Sequence, residues 1–90
     1  MEASRDVRIV NPSGLHARPS HAIVKLALAH RSELTVRCGE RAVNGRSILD
    51  LMTLGAPCDA ILSLHARGED AEELISALTR LIESGFGELS

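Results

Sequence analysis

Apolar residues recur along the chain, first with the period of a strand and then with that of a helix. Alternation over residues 5–11 puts Val7 and Ile9 on one face and predicts a first strand, which the turn residues of "PSG" end. Residues 17–29 show helical spacing and predict an amphipathic helix. Its apolar face comprises Ala22, Ile23, Leu26 and Ala27, and its basic face comprises Arg18, His21 and Lys25.

The middle of the chain predicts a hairpin and then a short helix. Residues 33–38 alternate with Leu34, Val36 and Cys38 facing inward, and the following Gly-Glu pair can turn the chain into a second short strand over 41–44. Residues 47–55 are apolar and are closed by a glycine and a proline, which is typical of a two-turn helix.

The last third of the chain predicts one more strand and a long helix. Alternation over residues 60–66 gives the strand. Residues 69–85 begin with carboxylates, end at a glycine and carry apolar side chains at helical spacing, so they give the helix. The predicted order is β-α-β-β-α-β-α.

This order predicts one α+β domain over residues 1–90, in which helices cover one face of a single sheet. The other face would remain in water, and the outward positions of the strands agree with that because they are polar. These positions are Arg8, Glu33, Thr35, Arg37, Ser63, His65 and Arg67.

Composition restricts the partners of such a domain. With 10 basic and 12 acidic residues among 90, the formal net charge is -2, so no global positive field attracts nucleic acid or an anionic membrane. No stretch is long and apolar enough to span a membrane, and the N-terminus lacks the pattern of a signal peptide. Cys38 and Cys58 lack the spacing of a zinc site or a disulfide scaffold. We expect a soluble cytoplasmic protein with reduced, mostly buried thiols.

The segment "GLHARPS", residues 14–20, carries the candidate chemistry. A helix that starts at Ala17 puts His16 at the N-cap and Pro19 in the first turn, where a missing N–H is tolerated. Unpaired amides and the helix dipole favour an anion at such an end, and Arg18 adds a planar cation suited to phosphate. A neutral imidazole is a competent nucleophile near pH 7, so this arrangement indicates a histidine that receives a phosphoryl group. The alternative is a histidine that only caps the helix or fills a turn.

Three segments of the chain resemble the HPr phosphocarriers of the bacterial phosphoenolpyruvate-dependent phosphotransferase system. "GLHARPS" is similar to the family's active-site segment, "VNGRSILDLMTLGA" (43–56) to its second helix, and "GEDAEELISALTRLIESGFGE" to its C-terminal helix. The resemblance covers nearly the whole chain. It implies an HPr-like open-faced sandwich: a four-stranded antiparallel sheet in the order 1-4-2-3, with three helices on one face.

The resemblance also implies a function. The family's phosphorylated histidine falls on His16, modified at Nδ1, and its phosphate-stabilising arginine falls on Arg18. Phosphorylated Enzyme I would donate the phosphoryl group and an EIIA-type domain would accept it, with no cofactor and with this chain as a monomeric carrier rather than an enzyme. Partner docking would use basic and apolar residues of the first two helices, although core packing is the alternative for the apolar ones. The docking residues are His21, Lys25, Ile48, Leu49 and Met52.

Ser47 has two interpretations. In many family members the matching serine is phosphorylated by an ATP-dependent HPr kinase/phosphorylase, which weakens Enzyme I docking. Ser47 and Asp50 also fit a capping box, and Asp50 would repel a phosphate where many relatives carry glycine.

Two other classes of function compete with the carrier. A metal-binding module would use the histidines, but none has helical i, i+4 spacing or a nearby acidic partner. These are His16, His21, His30 and His65. A regulatory HPr-like binding protein in an incomplete phosphotransferase system is the second alternative, and it would act through phosphorylation-dependent partner binding.

Overall fold

The computed structural model describes residues 1–87 and contains the predicted elements in the predicted order. The strands are β1 (Glu2–Arg8), β2 (Glu33–Cys38), β3 (Arg41–Asn44) and β4 (Ile61–Arg67). The helices are α1 (Ala17–Leu28), α2 (Ile48–Met52) and α3 (Ala71–Glu83). A 3-10 turn over Gly85–Gly87, which the sequence did not predict, follows α3.

The four strands form one antiparallel sheet in the order β1-β4-β2-β3, as the resemblance implied. The central strand β4 pairs with β1 on one side, where Val7 lies opposite Leu62, and with β2 on the other, where Val36 lies opposite Leu64. Paired residues share a face of the sheet, so these four buried side chains form one apolar surface.

The three helices supply the other half of the core. Their apolar stripes bury side chains that are at most 8% exposed, and these join the inward residues of the sheet in one continuous cluster. The helical members are Ile23, Val24, Ala27, Leu51, Ala71, Leu74, Ile75, Leu78 and Ile82. No helix within residues 1–87 is long and apolar enough to cross a membrane.

The outer face of the sheet is polar, as predicted. The side chains of Arg8, Glu33, Thr35, Arg37 and Arg67 are exposed. Two others on β4 are half-buried because that strand has a neighbour on each side: these are Ser63 and His65.

The first strand begins earlier than its predicted range of 5–11. It starts at Glu2, because all seven residues of β4 find partners in β1, from Glu2 opposite Arg67 to Arg8 opposite Ile61. The polar N-terminal half of this edge strand hides the alternation. The predicted inward residues Val7 and Ile9 are nevertheless buried.

Smaller corrections concern the helix ends and the thiols. The second helix ends at Met52 rather than at residue 55, and α3 covers 71–83 rather than 69–85. Both cysteines are free and half-buried, not mostly buried. Cys38 is the last residue of β2, next to the hairpin turn, and Cys58 lies in the loop before β4.

Candidate functional site

His16 is the N-cap of α1, as the sequence predicted. Its backbone is extended, with φ of -91° and ψ of -166°, and its side chain is exposed. The His16 carbonyl accepts a hydrogen bond from the Ser20 amide at 3.0 Å, which closes the first helical turn. The imidazole makes no side-chain hydrogen bond that caps this helix.

A compact turn ahead of the helix presents His16. The Gly14 amide donates to the carbonyl of Asn11 at 3.1 Å, and the buried Asn11 side chain donates back to the Gly14 carbonyl at 2.8 Å. The His16 amide then donates to the same Gly14 carbonyl at 3.0 Å. These bonds fix the backbone of the turn up to the first residue of the helix.

The turn is also attached to the segment that follows α2. The Leu15 amide donates to the Ala56 carbonyl at 2.8 Å, and Leu15 is buried in the core. Gly14 has φ of +69°, and a Cβ there would lie 2.5 Å from the Ala56 oxygen. Only glycine fits this position without displacing the backbone of residues 56–57.

The basic face of α1 lies beside the candidate histidine. Arg18 is in the first turn, and His21 and Lys25 follow at helical spacing, with all three side chains exposed. Pro19 and Ser20 are buried on the opposite side. The structure thus puts the predicted basic residues in water on the helix that begins at His16.

The short helix α2 contacts α1 and adds an apolar surface. Leu51 is fully buried and anchors this helix in the core. Leu49 and Met52 are 74% and 46% exposed, whereas Ile48 is half-buried and packs against the core. Core packing therefore accounts for the buried part of the Ile48 side chain. It does not account for Leu49 and Met52, whose exposure is notable for large apolar side chains.

Ser47 caps α2, as predicted. Its hydroxyl accepts a hydrogen bond from the Asp50 amide at 3.2 Å. The Asp50 carboxylate does not complete a reciprocal capping box with the Ser47 amide, because it accepts from the Asn44 amide at 3.4 Å and the Ser47 amide donates to the Asn44 carbonyl. Ser47 is half-buried at the start of the helix that exposes Leu49.

The remaining histidines lie away from this site. His30 Nδ1 is 2.8 Å from the Leu26 carbonyl at the far end of α1, and His65 Nε2 is 2.6 Å from a carboxylate oxygen of Glu2 on the outer sheet face. Within residues 1–87, no three histidine, cysteine, aspartate or glutamate side chains are grouped so that they could hold a metal ion.

Two residues of the site were not identified from the sequence. Asn11 was predicted as the last residue of the first strand, but it is fully buried and shapes the histidine turn. Arg46, which precedes the Ser47 cap, reaches the far end of α1. The "NP" dipeptide at 11–12 is a recognised turn signal that could have identified Asn11. Nothing in the local pattern indicated the contact of Arg46.

Chemically, this arrangement suits an anionic group that is attached covalently to the imidazole and can be removed again. An exposed imidazole stands at the positive end of a 12-residue helix, and no carboxylate lies in the first turn to compete with a bound phosphate. Arg18 brings a permanent cation into the same turn.

Comparison with known proteins gives one consistent result. Residues 3–84 match the family model described as the phosphotransferase-system HPr component phosphorylation site. A phosphocarrier protein HPr of Neisseria meningitidis is 39% identical over 84 residues, which cover 93% of this chain and 94% of that protein. One of Chlamydia trachomatis is 36% identical over 88 residues, covering 98% and 81%. The crystal structure of HPr-C-His from Thermoanaerobacter tengcongensis has a TM-score of 0.93 at 40% identity, covering 98% of this chain and 99% of that one.

Proposed function

The chain belongs to the HPr family of bacterial phosphotransferase-system phosphocarriers, and we propose that it carries a phosphoryl group on His16 from phospho-Enzyme I to an EIIA-type domain in the cytoplasm. The observation that carries this proposal is the exposed imidazole at the N-cap of α1, with Arg18 in the first turn. The same chemistry was inferred from the residues and from the resemblance separately.

Transfer needs only one nucleophilic nitrogen on this chain. The lone pair of His16 Nδ1 attacks phosphorus as the bond to the donor breaks, and a P–N bond forms. In the second step the acceptor's nucleophile attacks the same phosphorus, and the P–N bond breaks with its electron pair returning to the imidazole. Arg18 and the amides of the first turn stabilise the negative charge of the phosphoryl oxygens in both steps.

Exposure of the site fits a carrier rather than an enzyme. A phosphoryl group at a solvent-facing helix end can be reached by two different proteins in turn. We infer that both partners recognise the surface formed by α1 and α2. Its basic part is Arg18, His21 and Lys25, and its apolar part is Ile48, Leu49 and Met52.

We also propose that Ser47 is a regulatory phosphorylation site for an HPr kinase/phosphorylase. A phosphate there would add about two negative charges at the start of α2, two residues from the exposed Leu49. That charge would oppose docking of a partner on the apolar surface. The Asp50 amide, which now donates to the Ser47 hydroxyl, could donate to a phosphate oxygen instead, while the Asp50 carboxylate would repel it.

Mass spectrometry after incubation with phosphoenolpyruvate and Enzyme I tests the carrier function. The parent chain should gain one acid-labile phosphoryl group, and His16→Ala should gain none. His21→Ala, which removes another exposed imidazole of the same helix, is the matched control and should still be labelled. A folded parent that gains no phosphoryl group, but is phosphorylated on Ser47 by ATP and a kinase, would favour the regulatory binding protein.

A further inference from the structure

Helix α2 is attached to α1 at both of its ends. After α2, the Ala56 carbonyl accepts from the Leu15 amide at 2.8 Å, next to His16. Before α2, the Arg46 side chain extends to the other end of α1, at Ala27, which is 11 residues after His16. The two helices are in contact between these attachments. One attachment is a backbone hydrogen bond, whereas the other depends on a single side chain.

The Arg46 guanidinium binds the carboxyl end of α1 and the turn that follows it. Its Nη1 lies 2.9 Å from the Ala27 carbonyl, 3.2 Å from that of His30 and 3.3 Å from that of Ser32. The last carbonyls of a helix carry the negative end of its dipole, so a cation is favourable beside Ala27, whose carbonyl also accepts from the His30 amide at 3.1 Å. The side chain is half-buried, which strengthens charge-assisted bonds of this kind.

The backbone of Arg46 is held as firmly as its side chain. Its amide donates to the Asn44 side chain at 2.9 Å. The preceding Gly45 is buried, its amide donates to the Leu34 carbonyl at 2.8 Å, and a Cβ there would lie 2.4 Å from the Leu34 side chain. The residue after it, Ser47, is the cap of α2. Arg46 is therefore a fixed link between the sheet, the start of α2 and the end of α1.

We propose that Arg46 is a positioning residue for phosphoryl transfer, because it fixes α2 along α1 and so sets where the exposed Leu49 and Met52 stand relative to His16. This inference rests on the proposed function, since it assumes that a partner recognises the two helices together. α1 is 12 residues long and hence about 18 Å in length. Without the Arg46 side chain, the start of α2 stays tied to the sheet through the Gly45 amide but loses its polar attachment to the end of α1. Its position along α1 is then less firmly fixed, and partner binding would have to order it again.

The test compares Arg46→Met with Arg41→Met in Enzyme I-dependent phosphorylation. Methionine keeps an aliphatic side chain but no donor, and Arg41 is an exposed arginine at the start of β3, so its loss controls for removal of one positive charge. We expect Arg46→Met to raise the KM for this chain roughly fivefold with kcat within about twofold, as for a modest coupling between sites. The rate of hydrolysis of its isolated phosphohistidine should equal that of the parent. Arg41→Met should leave the KM unchanged.

Arg46→Lys separates positioning from overall stability. Lysine retains a cation that can donate to the same carbonyls but lacks the planar fork, so its KM should lie between those of the parent and Arg46→Met. If Arg46→Met does not fold, the proposal is tested by the KM of the folded Arg46→Lys variant, which should exceed that of the parent. A KM equal to that of the parent in the folded variants, or a loss confined to kcat, would overturn the positioning role. Absence of phosphohistidine on the parent would instead refute the proposed function itself.

Discussion

Ser32 donates two hydrogen bonds to one carboxylate oxygen of Asp70, one from its hydroxyl and one from its amide at 2.9 Å. The Arg31 amide donates to the second oxygen, also at 2.9 Å. The hydrogen bond from the Ser32 hydroxyl, followed by that from the Arg31 amide, lowers the pKa of Asp70 from 3.8 to about 2. Since Asp70 is the N-cap residue of α3, this contact ties the turn after α1 to the start of the last helix.

Stability should therefore fall in acid over a defined interval. A carboxyl whose folded pKa is depressed stabilises the fold above its unfolded pKa, and that stabilisation is lost as the pH falls through the folded value. For Asp70 the interval runs from about pH 4 to about pH 2. Urea midpoints measured from pH 5 to pH 2 should fall more steeply for the parent than for Asp70→Asn. Glu73→Gln, which removes an exposed carboxylate from the same helix, should keep the parent slope.

Ser20→Ala should make the protein more stable. The Ser20 hydroxyl is fully buried and has no hydrogen-bond partner among residues 1–87, so it loses hydration without compensation. We expect a gain of about 1 kcal/mol in the free energy of unfolding beyond any gain from helix propensity. Ser76→Ala, at an exposed site within α3, measures the propensity effect alone. Equal effects of the two substitutions would contradict the burial argument.

Gly14→Ala should damage both the fold and the site. The new Cβ would lie 2.5 Å from the Ala56 oxygen in a left-handed conformation, so the histidine turn must move away from residues 56–57. We expect a loss of about 1–3 kcal/mol and slower phosphorylation of His16. Gly55→Ala is the control, because that glycine also has a positive φ, of +59°, but a Cβ added there would meet no atom within 4 Å. Gly55→Ala should lower the free energy of unfolding by less than Gly14→Ala does and should leave the phosphorylation rate of His16 unchanged.

Arg18→Ala should slow phosphoryl transfer without unfolding the protein. Its exposed guanidinium stands in the first turn of α1, where it can stabilise charge on the phosphoryl oxygens. Removal of one donor from a buried oxyanion hole reduces rates by roughly 100- to 1,000-fold, and we expect a smaller loss, of about tenfold, at this exposed site. Arg37→Ala, which removes an exposed arginine from the outer face of the sheet, is the control for charge alone. Stopped-flow transfer rates that are the same for both variants would show that the guanidinium has no special role.

Most of the fold could be predicted because most of its elements have a clear period. The hairpin strands 33–38 and 41–44 coincide with β2 and β3, since alternation and a two-residue turn specify both ends. β1 was displaced by three residues at its start, because an edge strand buries few residues and its polar half carries no pattern. The strand order came from the resemblance, since periodicity contains no information on which strands pair.

The site could be predicted only where its geometry is local. The N-cap position of His16 and the cap at Ser47 follow from short motifs, and the structure contains both. The hydrogen bonds that hold the surrounding elements together are not local. Asp70 accepts from Ser32, which is 38 positions away in the sequence, and Arg46 donates to Ala27, which is 19 positions away. Contacts at such separations depend on how the layers pack, which no window of the sequence reveals.

Leu49→Ser and Met52→Ser should weaken partner docking while the protein stays folded. Leu49 is 74% exposed, so its loss removes little buried surface and should change the free energy of unfolding by less than about 0.5 kcal/mol. Met52 is 46% exposed, so its loss also removes buried apolar surface and should cost about 1 kcal/mol. If Enzyme I covers them, each substitution should raise the KM about tenfold, equivalent to about 1.4 kcal/mol of binding energy. Leu28→Ser is the matched control, because Leu28 is 57% exposed at the far end of α1. An equal increase for all three variants would mean that the partner responds to surface polarity in general. An unchanged KM for Leu49→Ser and Met52→Ser would place the docking surface elsewhere, whereas an increase confined to these two would locate it on α2.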